Sequence, residues 1–227
     1  MKQFALIVAG GNGSRMNSET PKQFLLLNDL PILMHSMNRF YHFNSEMEII
    51  LVLPKAQFGM WKSLSKKYEF NVPHQIVAGG KNRFQSVKNG LDTIIGNGII
   101  FIHDGVRPLV STETIGRCLK TTLEKGNAVP VSSVVESLRM VENGTNKIVD
   151  RDKFVNIQTP QTFFVEEIKA AYAQGFDPLF TDDTSVLERT GKTINLVKGN
   201  RENIKITHPS DLIVAKALMK YQRINFD

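Results

Sequence analysis

The first apolar run of the chain, Phe4–Ala9, opens directly into Gly10, Gly11, Asn12, Gly13, Ser14 and Arg15, and Lys22 follows Pro21 shortly after. Glycines at a strand end let backbone N–H groups approach a phosphate closely, and the two cations add positive charge to the same turn. This is not a Walker A loop, because no Gly-Lys-Ser/Thr follows at the required spacing. Nor is it a dinucleotide fingerprint, since the glycine spacing fails and Arg and Lys occupy the loop. The chemistry that suits such a turn is electrostatic handling of a polyphosphate, where fixed cations meet developing charge.

A second cluster falls at another strand end. Asp104 closes the apolar run Ile99–His103, and a carboxylate there suits Mg²⁺, which takes few protein ligands and several phosphate oxygens. His103 reads as structural, orienting the loop through a hydrogen bond. Arg107 reads as pairing with a carboxylate or bracing that loop. Gly79, Gly80, Arg83 and Ser86 lie at a strand–turn–helix junction. No cysteine nucleophile, serine triad or acid–base dyad stands out. Cys118, the single cysteine, excludes an intramolecular disulfide and fits a reducing compartment. Its spacing from Ile115, Leu119 and Leu123 makes it a small buried hydrophobe.

These residues need elements to position them. Short apolar runs alternate with segments of helical spacing: strands at Phe4–Ala9, Glu48–Leu53, Gln75–Ala78, Ile99–His103 and Asn127–Val135, and helices at Ile32–Phe43, Ala56–Tyr68, Asn82–Ile95 and Ser111–Lys125. Pro31, Asn82 and Ser111 are helix-start signals. The alternation predicts an α/β fold, with a mostly parallel sheet flanked by helices and ligands at the carboxyl ends of its strands. From Ser137 to Phe164 the rhythm breaks, and Asn143-Gly144 marks a hairpin between SLRMV and KIVDR. Such a hairpin cannot bury its apolar side alone, so it is expected to protrude, as an arm at about 136–158, and to pair with another subunit. Helices at Val165–Gln174, Asp182–Arg189 and Pro209–Arg223, with a strand at Thr193–Val197, complete one expected domain over 1–227.

Composition narrows the partners. The 227 residues are 41% hydrophobic and 22% charged, with a formal charge of +6. That charge suits nucleic acid or a polyanionic small molecule, but no basic arm or stripe concentrates it, and interleaved aromatics are absent. No run reaches the length a membrane helix needs, and no signal peptide is visible, so a cytoplasmic protein is expected.

The segment LIVAGGNGSRM with PKQF resembles the signature of the sugar nucleotidyltransferases, in the branch that contains the 2-C-methyl-D-erythritol 4-phosphate cytidylyltransferases. Further matches follow in order along nearly the whole chain: Gly79-Gly80 with Arg83 and Ser86-Val87, His103-Asp104 with Arg107-Pro108, Val149-Asp150-Arg151, Gln158-Thr159-Pro160-Gln161, Thr181-Asp182, and Asn203-Ile204-Lys205-Ile206-Thr207. The resemblance implies a Rossmann-like domain whose protruding β-arm locks a homodimer. It implies CTP and a polyol phosphate as substrates and Mg²⁺ as cofactor. Arg15 and Lys22 would neutralise the triphosphate. Ala9 and Gly10, with Gly79, Gly80, Arg83 and Ser86, would hold cytosine and ribose, and Asp104 the metal. Arg151, from the neighbouring subunit's arm, would meet the acceptor phosphate together with Thr181 and Lys205. The chain departs from the family pattern at Gly105-Val106, where two small residues are usual, and at Glu136-Ser137, where Asp-Thr is usual. There the Ser137 hydroxyl stands in for threonine.

Ribitol-5-phosphate cytidylyltransferases share the fold and the nucleotide motifs. Arg151 favours the methylerythritol branch, because the ribitol branch typically lacks arginine in that register. A non-catalytic nucleotide-binding module is the option from another class. The joint presence of Arg15, Lys22, Asp104 and Lys205 argues against it.

Overall fold

The computed structural model describes residues 1–10 and 20–226, without the side chains of 222–226. Four parallel strands form its centre: β1 (Gln3–Val8), β4 (Glu48–Leu53), β5 (Gln75–Ala78) and β6 (Ile99–Asp104), in the order β5-β4-β1-β6. Between β1 and β4 lie a small hairpin, β2 (Leu26–Leu27) with β3 (Leu30–Pro31), and the helix α1 (Ile32–Phe43). The crossover helices that follow are α2 (Phe58–Lys67) and α3 (Arg83–Asp92), and α4 (Thr112–Lys125) leads on to β7 (Asn127–Ser133).

Strand β1 shows why the sheet is central. Its side chains alternate between two cores, as the pleat demands. Ala5 and Ile7 face Leu33, Met37 and Phe40 of α1 and Trp61 of α2. Phe4, Leu6 and Val8 face Phe84, Val87 and Leu91 of α3 and, beyond them, α5 (Val165–Tyr172) and α6 (Asp183–Glu188). A strand buried on both faces reads as a continuous apolar run, which is what FALIVA is. Each fully buried side chain of this size stabilises the fold by about 2 kcal/mol. The caps lie where the sequence places them. Asn82 accepts from the Gln85 N–H at 2.8 Å, and the Ser111 hydroxyl from the Thr114 N–H at 3.2 Å.

The second half departs from simple alternation. Strands β8 (Arg139–Glu142) and β9 (Thr145–Ile148) form a two-stranded hairpin of their own. Its turn has left-handed φ at Asn143 (47°) and Gly144 (77°), the conformation that favours Asn-Gly. Within the stretch expected as an arm, at about 136–158, the last strand, β10 (Val155–Ile157), pairs antiparallel with β7.

The next strand, β11 (Gln161–Phe164), was not expected at all. It inserts antiparallel between β6 and β7, pairing with both. Strand β12 (Leu196–Lys198) lies parallel to β7, three residues later than the expected start of that strand. The expected helix at Ala56 starts instead as a tight 3-10 turn, Lys55–Gln57. The final helix α7 spans Pro209–Phe226. Among the described residues, no helix is long and apolar enough to cross a membrane.

Candidate active site at the carboxyl edge of the sheet

The register aligns the ends of the central strands: Val8 pairs with both Val52 and Asp104. The loops leaving those ends are pinned to neighbouring strands by backbone hydrogen bonds. Ala9 donates to Val52 O, Gly79 to Leu53 O and Gly105 to Val8 O, at 2.8–2.9 Å. Gln23 secures the first loop, donating from Nε2 to Ala9 O at 3.0 Å. Above this edge opens a cavity of about 340 Å³. It is lined by Ala9, Gly10, Gly80 and Ser86, and by the charged side chains of Lys22, Arg83, Asp104 and Lys205.

Gly80 is required for steric reasons. A Cβ there would lie 2.4 Å from Gln85 Cβ and 3.1 Å from its backbone carbon, forcing the first turn of α3 away. Ser86 Oγ ties the same turn, accepting from Gly80 N at 3.0 Å and donating to Asn82 O at 2.8 Å. Gly79 lies just beneath, outside the cavity lining, where a Cβ would stand 3.1 Å from Ser86 Oγ. Gly105, one of the departures from the family pattern, has a local reason. A side chain there would meet Leu33 Cδ1 at 2.9 Å and Ala9 Cβ at 3.0 Å.

Asp104 is the electrostatic centre. Lys205 Nζ lies 3.1 Å and Arg107 Nε 3.2 Å from its Oδ2, and Arg83 Nε 3.8 Å from its Oδ1. Burial alone would raise the pKa of this carboxyl, but Lys205, Arg83 and Arg107 outweigh it and hold the group well below the usual carboxylate range. Arg107 also donates to Asn203 O at 2.8 Å, so it both pairs with the carboxylate and braces the segment that carries Lys205. Asn203 and the Ile206 N–H fix the rest of that segment, bonding to Thr159 O at 2.8 Å and Val106 O at 3.0 Å.

His103 is fully buried and makes no approach to the cavity lining. Its Nε2 faces the Arg107 carbonyl at 3.0 Å, which can only accept, so Nε2 carries the proton. Nδ1 then accepts from the Thr159 hydroxyl at 2.9 Å, and that oxygen accepts in turn from the Asp104 N–H at 3.1 Å. Burial pushes the imidazole pKa down to about 4. The structural role read from the sequence holds: a neutral histidine fixes the backbone beneath Asp104.

Of the site residues read from the sequence, Arg15, Gly11 and Gly13 lie outside the described residues. Arg151, Ser137 and Thr181 are exposed and do not line the cavity of their own chain. Arg151 sits in the turn after the hairpin, where it donates to the Val135 carbonyl. Thr181 directly precedes Asp182, the N-cap of α6. The sequence reading missed a buried polar set: Gln161, Asp183 and Tyr172. Gln161 closes the motif Gln158-Thr159-Pro160-Gln161, and its type and position beside Pro160 are the available signal.

Residues 3–221 match the family model described as 2-C-methyl-D-erythritol 4-phosphate cytidylyltransferase. The chain belongs to that family. Among curated members, the proteins of that name from Bacteroides fragilis and Porphyromonas gingivalis are 48% and 49% identical over 96% of this chain, covering 100% and 98% of their own lengths. A solved 4-diphosphocytidyl-2C-methyl-D-erythritol synthase from Anaerococcus prevotii superposes with a TM-score of 0.82, at 26% identity, covering 96% of each chain. The Thermus thermophilus cytidylyltransferase gives 0.79 at 29% identity, covering 97% of this chain and 100% of its own. The α/β fold of the cytidylyltransferase family is therefore the fold of this chain.

Proposed function

We infer that the protein is a nucleotidyltransferase that joins CTP to 2-C-methyl-D-erythritol 4-phosphate, forming 4-diphosphocytidyl-2-C-methyl-D-erythritol and pyrophosphate in isoprenoid biosynthesis. The observation that carries this reading is a family match over nearly the whole chain, on a fold whose strand-edge cavity gathers Lys22, Arg83, Asp104 and Lys205. An oxygen of the acceptor phosphate attacks the α-phosphorus of CTP, and the bond to the β-phosphate breaks as pyrophosphate leaves. The substrate supplies the nucleophile, so the protein's part is positioning and charge.

In this reading Lys22 and Arg15 neutralise the triphosphate, and Lys205 meets the charge at the α-phosphate. Ser86 and the backbone of Ala9, Gly10, Gly79 and Gly80 hold cytosine and ribose. Glycine-lined backbone can approach a base closely and discriminate it by hydrogen bonding. Mg²⁺ fits the residues present. Among the described residues no group of three or more His, Cys, Asp or Glu could cage a metal, while Asp104 offers a single ionised carboxylate at the cavity. That suits an ion held by one carboxylate and substrate phosphates. When bound, it would supply further neutralisation of the phosphate oxygens.

We place the acceptor against Lys205 and Thr181, with Ser137 and Arg151 reaching it from the arm of a second copy. The arm's composition supports a homodimer, since Val141 and Ile148 are 74% and 77% exposed on the hairpin. The compartment proposed is the cytoplasm. The reaction is tested by ³¹P NMR of a mixture of protein, CTP, Mg²⁺ and methylerythritol phosphate. A new diphosphodiester signal with free pyrophosphate is expected, and unchanged CTP would overturn the reading.

A further inference from the structure

Arg83 stands 3.8 Å from Asp104 without closing on it, and the reason lies behind it. Both terminal nitrogens of its guanidinium are taken by Asp183, Nη1 to Oδ1 at 2.7 Å and Nη2 to Oδ2 at 2.6 Å. This is the fork-to-fork pairing that fixes orientation as well as separation. Only Nε is left facing Asp104. Asp183 is fully buried, and the Tyr172 hydroxyl donates a third hydrogen bond to its carboxylate at 2.6 Å.

The anchor is referenced to the strand that carries Asp104. Gln161 Oε1 accepts from the Asp183 and Thr184 N–H groups at 2.9 and 3.0 Å, and its Nε2 donates to Asp182 Oδ2 at 2.8 Å. Gln161 pairs in β11 with Ile102 of β6, two residues before Asp104. The position of the guanidinium relative to Asp104 is thus set by sheet pairing and a closed hydrogen-bond set rather than by a flexible side chain.

We propose that Asp183 is a positioning residue for the cavity: it holds Arg83 beside Asp104 but off it, so that the carboxylate can exchange Lys205 for a divalent cation carried in with the nucleotide. This rests on the reading of Asp104 as the cation's protein ligand. Released from Asp183, the guanidinium closes on Asp104, because the attraction of an ion pair grows as the separation shrinks. With Arg107 already 3.2 Å from Oδ2, a second guanidinium closing on Oδ1 then competes with the metal for the remaining carboxylate oxygen.

The test is Mn²⁺ binding followed by electron paramagnetic resonance, with the unreactive α,β-methylene analogue of CTP present. Asp183→Asn is expected to weaken Mn²⁺ binding about tenfold, the scale of one charge-assisted contact. Removing the cation as well, in Asp183→Asn with Arg83→Gln, is expected to bring the affinity to that of Arg83→Gln alone, because Asp183 acts only through the guanidinium. A role confined to holding the fold together would lower the melting temperature without bringing the two affinities together. Unchanged Mn²⁺ affinity in Asp183→Asn, or a double variant that binds Mn²⁺ more weakly than Arg83→Gln alone, overturns the proposal. Should Asp183→Asn not fold, Arg83→Gln is compared with the double variant. Equal affinities are expected, and a difference beyond about threefold overturns the proposal. Asp104→Asn separates the two levels. If it binds Mn²⁺ as the parent does, the metal reading and the proposal fall together. If it loses binding while Asp183→Asn does not, the positioning role alone falls.

Discussion

Lys205 Nζ lies 3.1 Å from Asp104 Oδ2, so a cation from a distant segment sits on the one carboxylate that lines the cavity among the described residues. The pair puts a positive charge where the α-phosphate is proposed to lie and a negative one where the metal is proposed to bind. Lys205→Gln is therefore expected to lower kcat on the order of a hundredfold, the cost of losing one transition-state charge contact. Steady-state kinetics at saturating CTP check this, and a near-normal kcat would remove Lys205 from the chemistry.

Lys22 approaches the same cavity from the turn after Pro21. Replacing Lys22 by Ala, and separately Arg15 by Ala, is expected to cost on the order of a hundredfold or more in kcat/KM. The far-ultraviolet circular dichroism should not change for Lys22→Ala, since Lys22 lines the cavity and belongs to no hydrophobic core cluster. Rates close to the parent would sink the assigned roles.

Arg151 does not line its own chain's cavity and is proposed to serve a partner's. Arg151→Ala is expected to raise the acceptor KM by about ten- to a hundredfold, the worth of a charged phosphate contact, with the KM for CTP little changed. Mixing Arg151→Ala with Lys22→Ala subunits offers a sharper check. Activity above that of either variant alone requires a site shared between two chains.

How much of this was legible beforehand depends on where the information sits. Ile32–Phe43 and Glu48–Leu53 were read with their observed bounds, because Pro31 and continuous apolar runs are local signals. Ser111 and Asn82 gave the helix caps for the same reason. Strand β11 was missed because Gln161 and Thr162 look like loop residues. They are buried only because the sheet pairs around them and α6 consumes the Gln161 amide. The Asp183–Arg83 pair was invisible for the related reason that its partners are about a hundred residues apart. Of the residues read as site residues, the structure brings Ala9, Gly10, Lys22, Gly80, Arg83, Ser86, Asp104 and Lys205 to one cavity, Lys205 having been read from the family resemblance alone. What brings them together is the alignment of the ends of β1, β5 and β6 about β4, with Asn203 and Ile206 tying in the Lys205 segment.

Stability should fall on acidification in a way traceable to His103. Its folded pKa is depressed to about 4 from 6.5, so the unfolded chain takes up a proton that the folded one refuses between those values. The stabilisation of the folded state is full above pH 6.5 and is lost as pH falls toward 4, by on the order of 3 kcal/mol. Asp104, held low by its cations, begins to lose its contribution as pH falls through the ordinary carboxylate range and goes on losing it below. Urea denaturation from pH 7.5 to 4.5 checks this. His103→Asn should flatten the slope, and an unchanged slope would assign it elsewhere.

The central claim is tested most directly by pyrophosphate release from CTP and Mg²⁺, run in parallel with 2-C-methyl-D-erythritol 4-phosphate and with ribitol 5-phosphate. Release with the methylerythritol phosphate alone, abolished by EDTA, is the predicted result. Release only with ribitol phosphate, or with neither acceptor, would contradict it.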